Sequence, residues 1–343
     1  MAATVSPASS ESPRRRTLLL ALRTLGTLAL AAWLIGVMDW SSVWSAMRGA
    51  DYRLLVLVLV LLAIGPVLSA YKWRALLAIH GIHYPMTRLT RWYIASIFLS
   101  QFLPTTIGGD AYRAYKTMQG RRSRSRAVIA IVVERASGIA ALVAMGFLAA
   151  YWLQHDSQTV LPSLVVVGGS IAGAVGVILT WVLIRAPQVL SAPRWRFAAR
   201  VMDGVATVIS EFRAHPRQCN IALVLSFAFH LDRIAVIWFT LAALGHPPGL
   251  LELIVATMVV EIASFLPISL GGLGVAEGSF VYVMGLFGAA AEPALAAMLL
   301  IRVLLVPLHL LGAGFYLAEG RRPRGDLPVA HSREWRATSS PSR

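Results

Sequence analysis

The chain has 343 residues, of which 57% are hydrophobic, and its mean hydropathy is +0.68. Soluble domains hold roughly 45–50% apolar residues, so a water-soluble globule is excluded: the apolar side chains exceed what its core could bury. The net charge of +15 does not make it a nucleic-acid binder, because the Lys and Arg residues concentrate in loops between apolar runs, where the positive-inside rule and anionic lipid account for them.

Residues 1–16 form a basic tail ending in Arg14, Arg15 and Arg16. The apolar run at 18–37 is longer than the ~7–15 residues of a signal-peptide core and reads as a retained first span. Further full spans are expected at 54–71, 127–153, 160–184, 219–243 and 293–318, each near the ~20 residues needed to cross the hydrocarbon. Two apolar segments fall short of that length, one from Trp92 to Leu103 ahead of Pro104 and one from Glu252 to Leu266 ahead of Pro267.

Loop charge decides how the short segments are placed. Lys72 to Arg91 and Gly109 to Arg126 are both strongly basic, so the first short helix has cytoplasmic flanks on both sides and is expected to re-enter over about 92–119. His155 to Thr159, Gly245 to Leu251 and Gly288 to Pro293 lack Lys and Arg, and Arg185 to Arg217 is rich in Arg. The second short segment, about 252–288, is then a hairpin inserted from the opposite face. Residues 320–343 read as a cytoplasmic disordered tail, leaving 17–319 as one transmembrane domain in a cell membrane with both termini cytoplasmic.

The two hairpins break at matching sequences, Phe102-Leu103-Pro104-Thr105-Thr106-Ile107-Gly108-Gly109 and Phe265-Leu266-Pro267-Ile268-Ser269-Leu270-Gly271-Gly272. Pro removes a helix hydrogen bond, and Gly permits close approach or positive φ. An oppositely inserted pair of broken helices is the signature of inverted-repeat transporters, whose sites lie near the midplane. The expected fold is therefore all-α and polytopic, with about six full spans and two re-entrant helical hairpins forming an inverted repeat.

Charges inside apolar segments cost roughly 2.5–3.5 kcal/mol each on insertion scales and point to a cavity or to partners. Among them are Glu134 and Arg135, Asp232 and Arg233, Glu261, Glu277 and Arg302. Adjacent helical residues diverge by about 100°, so Glu134 and Arg135 need partners on other elements. A guanidinium grips phosphate with a two-pronged fork, which makes Arg113, Arg135, Arg233 and Arg302 candidates for a lipid phosphate. Asp110, Glu134, Glu261 and Glu277 would orient those arginines, receive a cationic headgroup or carry a proton, and plain ion pairing explains the same residues without a ligand. His230 and His309 read as packing histidines. His80 and His83 lack nearby carboxylates and the only cysteine is Cys219, so no metal site, disulfide or cofactor is expected.

The series Leu103-Pro104-x-x-Ile107-Gly108-Gly109-Asp110-x-Tyr112-Arg113-x-Tyr115, Glu134-Arg135 with Gly138, Leu266-Pro267-x-x-x-Gly271-Gly272-x-Gly274-x-x-Glu277 and Arg302 resembles the lysylphosphatidylglycerol synthase transmembrane-domain family. The resemblance spans about 90–310. It implies a flippase-like domain that moves lipid between leaflets, with Asp110, Arg113, Glu134, Arg135, Glu277 and Arg302 carrying the family pattern. Bifunctional members add a soluble aminoacyl-transferase domain, whereas here about 25 residues follow the last span, so aminoacyl transfer is not expected. A lipid-translocating protein that is not an enzyme is the first reading, with membrane lipids as partners. The alternative is a non-catalytic anchor or regulator of a lipid-modifying or glycosylating enzyme partner. Asp39 and Asp51 in the first loop are the only candidates for glycosyl transfer, and Ser279 for a protease nucleophile.

Overall fold

The computed structural model describes residues 36, 40–102, 107–118, 124–154, 206–264 and 272–320. The expected spans at 18–37 and 160–184, both tails, Asp39, Pro104, Pro267 and Gly271 lie outside them, apart from residue 36. Among the described residues the regular elements are helices. A short α1 (Trp40–Arg48) precedes α2 (Tyr52–Ile79), α3 (Met86–Phe102), α4 (Ile107–Met118) and α5 (Arg124–Leu153). After a short α6 at 206–214 come α7 (Pro216–Ala243), α8 (Leu250–Ser264), α9 (Val275–Leu286) and α10 (Ala291–Gly320).

Among the described residues four helices, α2, α5, α7 and α10, are long and apolar enough to cross a bilayer. Their outward faces stay apolar and uncovered, with Val56, Val60, Val67, Leu148, Val224, Val303, Leu310 and Leu317 exposed. A surface of that kind needs lipid rather than water. Tyr52 and Tyr71 are both exposed on α2, and at 1.5 Å per residue they stand about 28 Å apart, close to the ~30 Å of the hydrocarbon layer. Trp40, Trp44, Tyr151 and Trp152 are exposed as well, as interfacial aromatic residues are. The protein is a multi-pass membrane protein.

Helix limits depart from the sequence reading where a charged residue faces inward. α2 runs on through Lys72 and Arg74 to Ile79, because Lys72, Trp73, Leu76 and Leu77 keep an apolar-lined face buried. Lys72 therefore belongs to a helix and not to a basic loop. α3 begins at Met86 and has 17 residues; Arg88 and Arg91 fit its first turns by lying over the Tyr84 and Phe315 rings. Asp51 caps α2, its carboxylate accepting the Arg53 N–H at 2.9 Å.

The order long, short, short, long occurs twice, as α2 to α5 and as α7 to α10. The first members of the two series pack antiparallel: the Asp51 N–H donates to the Ala243 carbonyl at 2.8 Å, Gly65 faces Asp232, and Lys72 donates to Ser226. Matching helices that run in opposite senses are what an inverted repeat requires. Each hairpin packs on the last long helix of the other half. α3 lies along α10 through Gly312 against Ile94 and Phe98, and α8 lies along α5 through Gly146 against Met258. At Gly312 a Cβ would stand 2.6 Å from the Ile94 carbonyl oxygen and 2.9 Å from the Phe98 Cβ, whereas at Gly314 it would meet nothing within 4 Å. Gly312→Val is expected to cost about 1–3 kcal/mol through overpacking, and Gly314→Ala to be neutral or stabilising by up to ~1 kcal/mol. Thermal melts in detergent check both signs.

Candidate functional site

The short helix α4 puts Asp110 and Arg113 one turn apart on the face turned to α5. Arg113 is 1% exposed. Its Nη1 donates to Glu134 Oε2 at 2.7 Å and its Nη2 to Asp110 Oδ1 at 2.5 Å. The guanidinium lies over both the Trp73 and Tyr93 rings, with its Cζ 5.0 and 4.6 Å from their centroids. Aromatic faces of that kind add cation–π attraction in a desolvated setting. Asp110 in turn receives Arg135, from Nε to Oδ2 and from Nη2 to Oδ1, both at 2.8 Å. The chain Glu134–Arg113–Asp110–Arg135 thus alternates in sign and sums to zero, as a buried ionic network must if it is not to leave a bare charge. Adjacent on α5, Glu134 and Arg135 both find partners on α4.

Gly109 makes this approach of helices possible. A Cβ there would fall 2.5 Å from the Ser96 carbonyl oxygen of α3, so α4 could not lie so close to α3 with any larger residue. Gly272, in the matching position of the second break, instead takes φ +73°. One glycine serves packing and the other the turn.

The second hairpin carries its own pair. Glu277, 2% exposed, accepts the Gly274 N–H on Oε2 at 2.7 Å and Arg302 on Oε1. Gly274 has φ +81° and precedes the first turn of α9, so the carboxylate also favours that helix start. A third pair joins α7 to α8, Arg233 Nη2 lying 2.7 Å from Glu261 Oε1.

These residues fall within residues 20–312, which the family model of the lysylphosphatidylglycerol synthase TM region matches. The chain belongs to that family. No curated protein matches it. Membership in the lysylphosphatidylglycerol synthase TM family makes this a membrane protein related to lipid modification or translocation.

Within the family frame, exposure separates the four candidate arginines. The Arg113 side chain is 1% exposed, against 43% for Arg135, 47% for Arg233 and 28% for Arg302. Arg113, named from sequence as a phosphate ligand, is enclosed by its carboxylates and aromatic rings, so the structure makes it the internal anchor of the network. The other three open to their surroundings while their carboxylates lie deeper. Asp232 shares no ion pair in the described structure; its Oδ1 is buried without a hydrogen-bond partner, and its Oδ2 faces Gly65.

Sequence reasoning missed Lys72. It is 6% exposed, and its Nζ donates to Ser226 Oγ at 3.2 Å and to the Glu134 carbonyl oxygen at 3.4 Å. The signal was present in the apolar residues that continue past it, Trp73, Leu76 and Leu77. Glu319 at the end of α10 was missed as well: it accepts the Trp92 indole N–H at 2.7 Å and pairs with Lys116 at 2.6 Å, tying α10 to both helices of the first hairpin. Nothing local in the sequence marks it. His230 Nε2 donates to the Gly138 carbonyl oxygen, 3.0 Å away, and His309 meets Gln101 at 3.2 Å. The Ser279 hydroxyl donates to the Val275 carbonyl within its own helix. A cleft of about 320 Å³ near the Tyr52 end is lined by His246, Glu252, Phe287 and Pro293, apart from the ionic network.

Proposed function

We propose that this protein is a lipid translocase, moving a phospholipid or lipid-linked anion between leaflets without itself being an enzyme. The observation that carries the reading is the division of roles among the intramembrane arginines. Arg135, Arg233 and Arg302 each keep 28–47% of the side chain exposed on helices whose outer faces require lipid. A guanidinium held on one side by a carboxylate keeps further N–H donors for a second acceptor, and a phosphate oxygen matches that geometry. Antiparallel halves with glycine-marked helix breaks give a route from either face, and the two short-helix pairs serve as re-entrant hairpins along it. Membership in a family tied to lipid modification or translocation supports the same reading.

The test is reconstitution in liposomes with a phospholipid fluorescent at its headgroup, followed by dithionite quenching. Faster loss of the protected fraction than in empty vesicles, abolished in Arg135→Ala that remains folded, is the expected result. Exchange equal to empty vesicles across anionic, aminoacylated and isoprenoid-linked lipids would replace this reading by that of an anchor or regulator for a lipid-modifying enzyme.

A further inference from the structure

Most charges inside the bundle are already paired. Asp110–Arg135 and Glu277–Arg302 take equivalent places in the two halves, with the arginine 25 residues after the carboxylate in both. Glu134 is held by Arg113, Glu261 by Arg233 and Glu319 by Lys116. Among the described residues away from the helix ends, one carboxyl and one lysine stand outside any ion pair, Asp232 and Lys72. Both lie on the seam where α2 and α7 meet, with α5 alongside.

Asp232 stands eleven residues before Ala243 at the end of α7, and Gly65, opposite it, thirteen residues after Tyr52 at the start of α2. The carboxyl is therefore about 16–20 Å from that face, near the middle of the ~30 Å hydrocarbon layer. A Cβ on Gly65 would come within 3.0 Å of Asp232 Oδ2, with the Phe229 ring next to it, and Oδ1 is buried without a hydrogen-bond partner. His230 is 6% exposed; its Nε2 donates to the Gly138 carbonyl oxygen of α5, while its Nδ1 is buried without a partner. One turn further toward the basic, cytoplasmic end, Ser226 accepts from Lys72 at 3.2 Å and donates to Ser137 at 3.3 Å. Lys72, Ser226, Ser137, His230 and Asp232 thus form a row of polar groups leading from the cytoplasmic end of the seam to its middle.

The remaining charged groups on the helices packed against α7 are engaged elsewhere. Glu134 and Arg135 of α5 belong to the network with α4, Glu261 of α8 holds Arg233, and Arg302 of α10 holds Glu277. His309 of α10 meets Gln101 of α3. A proton added at Asp232 or removed from it breaks none of these pairs. It does change the contact between the halves, because α2 opens the first and α7 the second. A local charge change that biases how two bodies pack is the working part of a switch, and rows of carboxyl and imidazole groups inside membranes serve as proton relays.

We propose that Asp232 is a proton-binding site, reached through His230, that couples lipid movement to a proton gradient. This rests on the lipid-translocase reading and supplies its energy source. The proton is taken up on a carboxylate oxygen of Asp232, passes by way of His230 Nδ1 and is released unchanged, so no co-reactant is consumed. As the neutral acid, Asp232 brings no bare charge to Gly65 and Phe229; as the carboxylate it does, and the halves are biased to part there.

The experiment places the full chain in phosphatidylcholine vesicles with a trace of headgroup-fluorescent phosphatidylglycerol in both leaflets. Valinomycin with equal potassium on the two sides clamps the membrane potential. The inner pH is varied, and the outer pH, where dithionite acts, is fixed. One unit of pH difference biases a one-proton transfer by at most about tenfold. The native protein is therefore expected to shift the leaflet ratio of the label severalfold, in opposite directions for opposite gradients. Asp232→Asn is expected to leave the ratio even, His230→Gln to slow the shift, and Asp232→Glu, which keeps a carboxyl, to retain part of it. Infrared difference spectra of the purified protein between acidic and neutral buffer read the site without lipid movement: a protonated-carboxyl band of the native protein should be missing from Asp232→Asn, whose thermal midpoint shows that it is folded. A ratio that shifts in Asp232→Asn as in the native protein would overturn the proposal, as would an exchanging native protein indifferent to the gradient, or a carboxyl band untouched by the substitution. Native vesicles that exchange no label, together with a band that Asp232→Asn removes, would remove the translocase reading and leave the proton site standing.

Discussion

Arg113→Leu is expected to destabilise the protein by about 3–5 kcal/mol, the range for removing one partner of a buried ion pair, and to leave little folded material in detergent. Domains are stable by only 5–15 kcal/mol, so a loss of this size approaches the whole. Its origin is the position of the guanidinium: it bridges Glu134 and Asp110 between the Trp73 and Tyr93 rings. With Leu in its place, Glu134 at 3% exposure loses its ion-pair partner, leaving Lys72 on its backbone carbonyl as the nearby positive charge, and Asp110 keeps Arg135 alone.

Two companions separate charge from packing. Arg113→Lys retains the charge but has no planar fork with which to hold two carboxylates at once, so it should recover only part of the loss. Arg113→Leu with Glu134→Leu removes one charge of each sign and leaves the Asp110–Arg135 pair complete; it should be more stable than Arg113→Leu alone, giving a favourable coupling energy in the double-mutant cycle. Thermal midpoints in one detergent provide all three comparisons. A melt for Arg113→Leu within a degree of the native protein would remove the anchor role.

The four long helices were legible because their apolar runs exceed the length of a bilayer crossing, and the doubled Pro and Gly-Gly break was legible as a word repeated in the text. What the text concealed is tertiary. Lys72 looked like the first residue of a basic loop, and only the burial of its helical neighbours and the Ser226 hydroxyl across the bundle make it an interior residue. The charged residues could be counted but not paired, because pairing depends on α4 lying close to α5, which Gly109 permits by its contact with α3. The equivalence of the two ion pairs was hidden by the motif itself: Asp110 follows Gly109 directly, whereas Glu277 stands five residues after Gly272. Aligning the breaks therefore misaligns the carboxylates by about one helical turn. The shared spacing of 25 residues to the next arginine was the signal that would have matched them.

Glu277→Gln is expected to slow lipid exchange by tenfold or more while leaving the protein folded, and this outcome separates a translocase from an anchor most sharply. The amide oxygen of Gln can still accept the Gly274 N–H that Glu277 accepts at 2.7 Å, so the start of α9 keeps its cap. The negative charge opposite Arg302 is lost. Two unit charges at 4 Å attract by about 4 kcal/mol at an effective dielectric near 20, so a lipid phosphate arriving at Arg302 would no longer compete with a carboxylate and would be held more tightly. Conduction through any site requires binding strong enough to admit the ligand and weak enough to release it; removing the competitor raises occupancy and lowers turnover. The variant should then carry more co-purified anionic lipid than the native protein and exchange it more slowly, with its thermal midpoint changed by less than that of Arg113→Leu. An anchor or regulator would show the stability change alone, with exchange at the level of empty vesicles before and after the substitution. Exchange in Glu277→Gln as fast as in an active native protein would remove Glu277 from the path and leave its carboxylate as the cap of α9 only.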